Sequence, residues 1–576
     1  MLSNLPVQLG SSALKRHLLF LFATIFTVLL IGYQYGTFDE AMHIPFLKAL
    51  VNPALYKGDT LLSLHNIYYS YFWFFFIPFL KLGWLEPSLF VVHIISIYLS
   101  YWAIWELSAT LFQDHRSSFI SVIAFIVPHF SFVGFPVFEF APLSRTVVLP
   151  FLLIAMNQFL KGRWTLAFFI SGLMCNVHIV SVNFVVAMFG LACLMELYRG
   201  GIRNFLPMLG KRILPGVVLF VIAALPVIMW KANGSPVDLS LRPEWVNFLN
   251  QSLFRHIFAM VGSYPVTWFV VGSGLSTLAL FFIAFPRQEK QTIEQMSSSP
   301  ITTARYFIFA GIVVLLVNII TVNLLPVTIV IESQIARIGL WILIIAYLFF
   351  ANLLARLFVE DNMPRALFWL LFITFIFSPT AILPLILWLL MRNVKNPTAI
   401  KAGLILAPIS ILFLYFLFFQ IGFWDPGIYI YGKMSPWVDV QLWAKQNTSI
   451  EARFITPPEK WGVIESDWRV YSERASAATL SELLVAAFQP GYEIGWKTRF
   501  EMVAPGALAR FNGEVFEVFD VTRQAYLGLS AEKLSSAACA LDAQYIVTEK
   551  PAAYPFFPVY ENTNFIVYDV SKTACK

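Results

Sequence analysis

Gly32-Tyr33-Gln34-Tyr35-Gly36-Thr37-Phe38-Asp39-Glu40-Ala41-Met42-His43-Ile44-Pro45 is the stretch on which the reading of the 576-residue chain turns. It follows the first hydrophobic run, residues 18–33, so two adjacent carboxylates, Asp39 and Glu40, stand at the mouth of a membrane helix. Acids so close to hydrocarbon are costly unless they are solvated or used. Lys15 and Arg16 precede the run, and no small-residue cleavage site follows it. The run therefore reads as an uncleaved first membrane helix with a cytoplasmic N-terminus, and Asp39 faces outward.

The composition supports this reading. The chain is 59% hydrophobic and 12% charged, with a mean hydropathy of +0.72, whereas soluble domains are roughly 45–50% apolar and about 25% charged. Repeated apolar runs near the spanning length of about 20 residues make it a polytopic α-helical membrane protein. The net charge of +6 calls for no nucleic acid, because cytoplasmic loops carry excess Lys and Arg. Four cysteines are too few for a disulfide framework. Cys175 and Cys193 lie in apolar runs, and Cys539 and Cys575 can pair only if the last segment lies outside the cytoplasm.

Beyond Pro45, residues 34–86 read as a long outer loop. Residues 41–50 form a short helix in it, and the aromatic segment 66–82 lies in or dips into the outer interface. Runs at 87–112, 119–135 and 146–160 follow, then short runs at 165–175 and 179–194 meeting at Asn176-Val177-His178. Further runs cover 213–230, 266–285, 306–325, 335–354, a pair at 367–377 and 381–390 broken at Ser378-Pro379, and 402–422. The sum is about 13 spans with every strongly basic loop on one side. From Trp424 the apolar runs shorten and charges become frequent. A helix at 437–447 and strands at 453–456, 545–548 and 564–569 indicate a soluble extracytoplasmic α/β domain at 424–576, after a transmembrane domain at 1–423.

Few residues can carry chemistry. Asp39 and Glu40 can act as a general base toward an acceptor, or hold a divalent cation; equally, they can cap the helix that starts there. Glu139 lies in a second outer loop among Phe138 and Phe140, with Arg145 six residues on as a potential ion-pair partner. His178 is either a packing residue or part of a cavity wall. Arg337 enters a long apolar run, where arginine costs at least about 2.5 kcal/mol. It either meets a phosphate, pairs with Glu332 or snorkels to the interface. Arg255 and His256 form a second candidate for phosphate contact, or a solvated loop. No phosphate-binding P-loop, dinucleotide fingerprint or Cys/His metal spacing occurs.

This layout resembles the GT-C superfamily of polyprenyl-phosphate-sugar-dependent glycosyltransferases: an acidic pair in a large first outer loop, an aromatic in-plane segment (68–76), an acid in the second outer loop, many spans and an outer α/β tail. More narrowly, Asp39-Glu40-Ala-Met-His43-Ile-Pro45, Asn52-Pro53-Ala-Leu-Tyr56-Lys57-Gly58-Asp59, and Trp443-Ala-Lys-Gln-Asn447-Thr448 with Thr456-Pro457-Pro458 are similar to uncharacterised bacterial multi-pass proteins placed near those enzymes. The resemblance implies that Asp39, with Glu40 beside it, is the first-loop acid and Glu139 the second. It implies inverting transfer at the cell inner membrane, with a carboxylate activating the acceptor. Arg337, Arg255 or His256 would steady the donor phosphate, and His43 and His178 would line the cavity. The partners would be a polyprenyl-phosphate sugar, the bilayer, and a glycan, lipid or protein acceptor. No cofactor is implied beyond an optional divalent cation. The tail has only Lys460-Trp461-Gly462 where oligosaccharyltransferases carry Trp-Trp-Asp-Tyr-Gly, which argues against N-glycan transfer. A lipid-linked transporter and a non-catalytic envelope-assembly protein remain the alternatives.

Overall fold

The structure, a computed structural model, describes residues 12–67, 70–234, 238–252, 265–285, 299–360, 363–391, 397–420, 424–462 and 465–571. The first helix, Ala13–Ile31, is capped by Ser12 and stops at Gly32. Gly32 has φ +89°, and a Cβ there would lie 2.6 Å from the Asp425 carbonyl oxygen. Only glycine combines that backbone with so close an approach. The chain then enters strand β1 (Tyr33–Gln34), which pairs in parallel with β2 (Ile428–Tyr429). The segment that decides the fold is thus hydrogen-bonded to the start of the C-terminal region.

Among the described residues, seven helices are long and apolar enough to cross a membrane: Ala13–Ile31, Leu85–Phe112, Trp164–Arg203, Phe205–Asn233, Pro300–Asn323, Ile335–Glu360 and Ala402–Gln420. Three shorter apolar helices join them: Ser144–Leu160, Trp268–Ala284 and Arg365–Phe377. Helix Ile335–Glu360 is the hub, with 89% of its apolar window buried, against 11% for Ala402–Gln420 at the periphery. The segment from Trp164 is not one straight rod. His178 leaves helical geometry (φ −154°, ψ 92°), and the Phe168 and Phe189 rings lie 5.6 Å apart. A straight helix would hold residues of that spacing about 30 Å apart, so the chain reverses at His178. The break expected at Asn176-Val177-His178 is the tip of this hairpin.

The expected span at 119–135 is different. Its helix, His115–Ala124, stops early, and the chain to Ser144 is irregular. Pro128 removes a backbone donor, and a second broken segment takes up the neighbouring polar groups. Phe130 N–H donates to the Pro379 carbonyl at 2.8 Å, and His129 Nδ1 lies 2.9 Å from the Ser378 carbonyl. Irregular backbone beside apolar helices is tolerated only when protein groups satisfy it in this way. The aromatic segment forms short helices, Trp73–Phe76 and Ile77–Lys81, too short to cross a bilayer. It packs on the hairpin tip: Tyr71 N–H donates to Asn176 O at 2.8 Å, and Ser70 Oγ donates to Val177 O at 2.6 Å.

The C-terminal region holds a five-stranded mixed sheet in the order β4-β3-β5-β7-β6. Its strands are β3 (Arg453–Ile455), β4 (Ala475–Ser476), β5 (Tyr545–Glu549), β6 (Phe557–Glu561) and β7 (Phe565–Asp569). The pairs β3–β4 and β3–β5 are parallel, and β7 is antiparallel to both its neighbours. Helices such as Pro436–Asn447 and Val515–Leu527 accompany the sheet. Cys539 is disulfide-bonded and Cys175 and Cys193 are free; Cys575, its expected partner, lies outside the described residues.

This region stands on the loop after the first helix through buried polar contacts. Arg469 is fully buried and holds Asp59 (2.7 Å), Asp467 (3.3 Å) and Glu482 (3.3 Å), while Tyr56 Oη donates to its carbonyl at 2.9 Å. Lys48 pairs with Glu473 at 2.8 Å. From helix Pro243–Gln251, the Trp245 indole donates to Ala486 O at 2.8 Å. Arg469 is thereby paired rather than isolated in the interior, and the contact ties the region to the loop that carries Asp59.

Candidate functional site

Asp39 does not cap the helix that follows it. It makes no side-chain cap hydrogen bond to helix Glu40–Val51. Its carboxylate turns instead to Arg145, at the start of helix Ser144–Leu160, and accepts from one guanidinium nitrogen. Arg145 gives its other edge to Glu139 in a two-pronged contact, with Nε to Oε1 at 2.7 Å and the second terminal nitrogen to Oε2 at 2.6 Å. One guanidinium therefore joins acids from two loops 100 residues apart in sequence. The three side chains remain 21%, 18% and 12% exposed for Asp39, Arg145 and Glu139, so the group is accessible rather than sealed. Burial pushes the Asp39 carboxyl up, but the Arg145 charge and hydrogen bond outweigh it and hold the group below its ordinary value.

The backbone before Asp39 is strained and held from three sides. Phe38 has φ +48°, rare for a bulky residue, and such positions cost about 1–3 kcal/mol. Its N–H donates to Gly462 O at 3.1 Å, its carbonyl accepts from the Trp461 indole at 3.1 Å, and its ring stacks on Phe140 at 5.2 Å. Gln34 N–H also donates to Phe140 O at 3.1 Å. The loop after the first helix, the loop before helix Ser144–Leu160 and the segment after β3 thus fix the direction in which Asp39 leaves the chain.

Arg337 adjoins this group. It lies in the single 3₁₀ turn Ile335–Ile338 that opens the hub helix, rather than deep in a span. Its guanidinium carbon is 4.6 Å from the centre of the Phe135 ring, and that of Arg145 is 5.3 Å from the same centre. The separation of the two cations cannot exceed the sum of those distances. Arg337 makes no ion pair with Glu332 or any other described carboxylate, and its Nε is buried without a partner. Two acids thus share one cation while a second cation beside them has none.

Two histidines adjoin this group. His43 stacks on Trp73 at 5.0 Å, and burial pushes its imidazole down to about 4, against the pull of Asp39, so it is neutral near pH 7. His178 Nδ1 accepts from Ser181 N–H at 3.1 Å at the hairpin tip. Arg337, Arg145, His43 and Asp39 lie close enough to act electrostatically on His178, and Arg145 ties Glu139 to the same group. Arg255 and His256 lie outside the described residues.

Glu40 leaves this cluster. Its Oε2 accepts from Gly36 N–H at 2.9 Å, and burial pushes the carboxyl up to about 8, so it holds a proton near pH 7. Its other oxygen, the Tyr33 and Tyr35 hydroxyls and His93 Nε2 are all buried without a partner among the described residues. Adjacent in sequence, Asp39 and Glu40 belong to separate polar groups. Asp39 and Glu40 do not converge on one point where a divalent cation could sit, because Asp39 is held by Arg145 and Glu40 turns to Gly36 N–H. Among the described residues, no group of three His, Cys, Asp or Glu side chains could hold a metal ion.

Sequence reading identified Arg145 only as a partner for Glu139, and gave Phe38, Phe135 and Trp461 no role. The six-residue spacing signals one ion pair; nothing in it signals that Asp39 shares the same guanidinium. No family model matches the chain, and no curated protein matches it.

Proposed function

We propose that the chain is a GT-C-type integral membrane glycosyltransferase, which takes a sugar from a polyprenyl-phosphate donor and passes it, with inversion, to an extracytoplasmic acceptor. The observation that carries this reading is the pairing of Asp39 and Glu139 on Arg145, beside an unpaired Arg337, where outer loops meet the helices. In a single displacement, the acceptor hydroxyl or amine attacks the anomeric carbon. The bond from that carbon to the phosphate oxygen breaks, and its electron pair leaves on the phosphate. Asp39 takes the acceptor's proton, and Arg337 meets the charge that develops on the departing phosphate. Glu139 holds Arg145 and thereby sets the direction of the guanidinium edge that Asp39 uses. His43, neutral and stacked on Trp73, would form part of the wall around the reacting sugar.

The topology proposed with this function has about 13 crossings of the cell inner membrane, a cytoplasmic N-terminus and an extracytoplasmic C-terminal region. The disulfide at Cys539 supports that side for the C-terminal region, because such bonds persist in oxidising compartments. The test is transfer from a polyprenyl-phosphate sugar by purified protein. If Asp39→Ala and Glu139→Ala both transfer at the wild-type rate, the mechanism is wrong.

The irregular chain at 125–143 and the break at Ser378 favour a second reading, a transporter of lipid-linked substrates, since interrupted helices are a feature of transport sites. Translocation of a labelled lipid-linked sugar across vesicles, with no new glycosidic bond, would select it.

A further inference from the structure

Arg145 serves two carboxylates unequally. Glu139 takes two parallel hydrogen bonds from it, the arrangement that fixes a guanidinium most firmly. Asp39 takes one, from the outer terminal nitrogen. Arg337, close by over the same Phe135 ring, takes part in no carboxylate contact among the described residues. An arriving anion would find one cation free and, beside it, a second held on its outer edge by a single competitor. The strained, three-point hold on Phe38 keeps the Asp39 backbone in place whether or not its side chain is engaged.

We propose that Arg145 is a positioning residue that exchanges partners: the donor's phosphodiester takes the edge facing Asp39, with Arg337 on its other side, and the exchange frees Asp39 to act as base only when a donor is present. This rests on the reading of the cluster as a donor site. Arg145 stays on Glu139 throughout; one hydrogen bond to Asp39 is replaced by one to the phosphate oxygen, and no covalent bond changes. In the resting protein Asp39 is neutralised and a poor base. Once the guanidinium edge turns to phosphate, the carboxylate keeps its burial and loses its closest counter-charge, so its proton affinity rises. The device keeps the base quiet toward water until a sugar is in place.

The charged and titratable groups facing Asp39 come from five places in the fold. They are His43 on its own helix, Glu139 in the second loop with Arg145 at the following helix start, Arg337 in the 3₁₀ turn, and His178 at the hairpin tip. His43, pushed down to about 4 by burial, is neutral between pH 8 and pH 5.5, so over that range the proton linked to the exchange is that of Asp39.

The test measures binding by the full chain in lipid nanodiscs. The probe is an isoprenyl methyl phosphodiester, which carries one fixed negative charge and no sugar, with the matching isoprenol as the uncharged control. Asp39→Asn, which removes the competitor at constant size, is expected to tighten the diester about tenfold at pH 7 and to leave the isoprenol unchanged. Glu139→Gln removes the same charge but releases Arg145, and is expected not to tighten it. Between pH 8 and pH 5.5 the wild type is expected to bind the diester more tightly as pH falls, because Asp39, ionised in the free protein, takes up a proton once the guanidinium edge has turned to phosphate; Asp39→Asn is expected to lack that trend. Equal tightening by Asp39→Asn and Glu139→Gln would reduce the effect to plain charge and overturn the exchange, as would an identical pH trend in wild type and Asp39→Asn. If the wild type binds the diester no better than the isoprenol, the donor-site reading falls, and the exchange with it.

Discussion

Replacing Glu40 with Gln separates the two neighbouring acids experimentally. Glu40 is fully buried and accepts one hydrogen bond from Gly36 N–H, which the Gln carbonyl can also accept. Burial raises its carboxyl from an ordinary 4.5 to about 8. A carboxyl raised in the folded state binds its proton there while the unfolded chain has released it. Stability therefore falls as pH rises through the interval from 4.5 to 8, by 1.36 kcal/mol per unit for a fully coupled group. Over the whole interval that is about 5 kcal/mol, and about 3 kcal/mol by pH 7. Below pH 4.5 both states hold the proton and the term vanishes. Gln carries no such term. The assay is thermal unfolding of wild type and Glu40→Gln in the same detergent, at steps from pH 4.5 to 8.5. The variant is expected to match the wild type near pH 4.5 and to melt progressively higher than it toward pH 8. A melting-point difference that does not change with pH, or a variant that loses stability most at pH 8, would show Glu40 ionised in the folded protein and refute the reasoning.

Three further outcomes are expected. Arg337→Ala should raise the KM for a polyprenyl-phosphate sugar about 10- to 100-fold, the range for losing a charge-assisted hydrogen bond of about 1.5–3 kcal/mol, with partial recovery in Arg337→Lys. Arg469→Ala should destabilise the protein by about 3–5 kcal/mol, since it leaves Asp59 and Asp467 without a counter-charge in the interior, while Glu482 keeps Arg499. Limited proteolysis should then release the C-terminal region, and unchanged resistance would count against that contact as its anchor. Trp461→Phe keeps the packing but deletes the donor to the Phe38 carbonyl; kcat should fall with little change in melting temperature, because the strained turn that aims Asp39 loses one of its three holds.

Much of the helical layout is visible in the sequence because apolar length is a strong signal. The break at Asn176-Val177-His178 is legible because polar residues interrupt an apolar run, and the structure turns the chain there. The failure at 119–135 has the opposite cause: that run is apolar enough, but Pro128 ends its helix, and hydropathy does not count backbone donors. In the C-terminal region, strands β3, β5 and β7 read correctly from their β-branched and aromatic residues. Strand β4 has two residues, and β6 is an edge strand containing Pro558, so neither presents a strand pattern. The β1–β2 pair joins segments almost 400 residues apart, which no local pattern encodes.

The candidate site was legible in its acids and in the Glu139–Arg145 pair, and not in the sharing of Arg145 with Asp39. Asp39 and Glu139 stand out because charges are scarce near apolar runs. That Glu40 turns away to Gly36 depends on a one-residue rotation at the start of a helix, which sequence adjacency conceals. That Asp39 reaches Arg145 depends on Phe38, whose positive φ is imposed by Gly462, Trp461 and Phe140 from distant parts of the chain. Arg337 reads as a cation inside a span; the 3₁₀ turn places it at the start of the hub helix instead.

The central claim is that Asp39, and not its neighbour, is the base of a glycosyl transfer. The most direct measurement is single-turnover transfer from a saturating polyprenyl-phosphate sugar, comparing Asp39→Asn with Glu40→Gln and reading the anomeric configuration of the product. A general base contributes typically about 10²- to 10⁴-fold. Asp39→Asn is therefore expected to slow the step by at least about 100-fold, Glu40→Gln to keep it within a few-fold of wild type, and the product to be inverted. Wild-type transfer by Asp39→Asn, or loss confined to Glu40→Gln, would contradict the account.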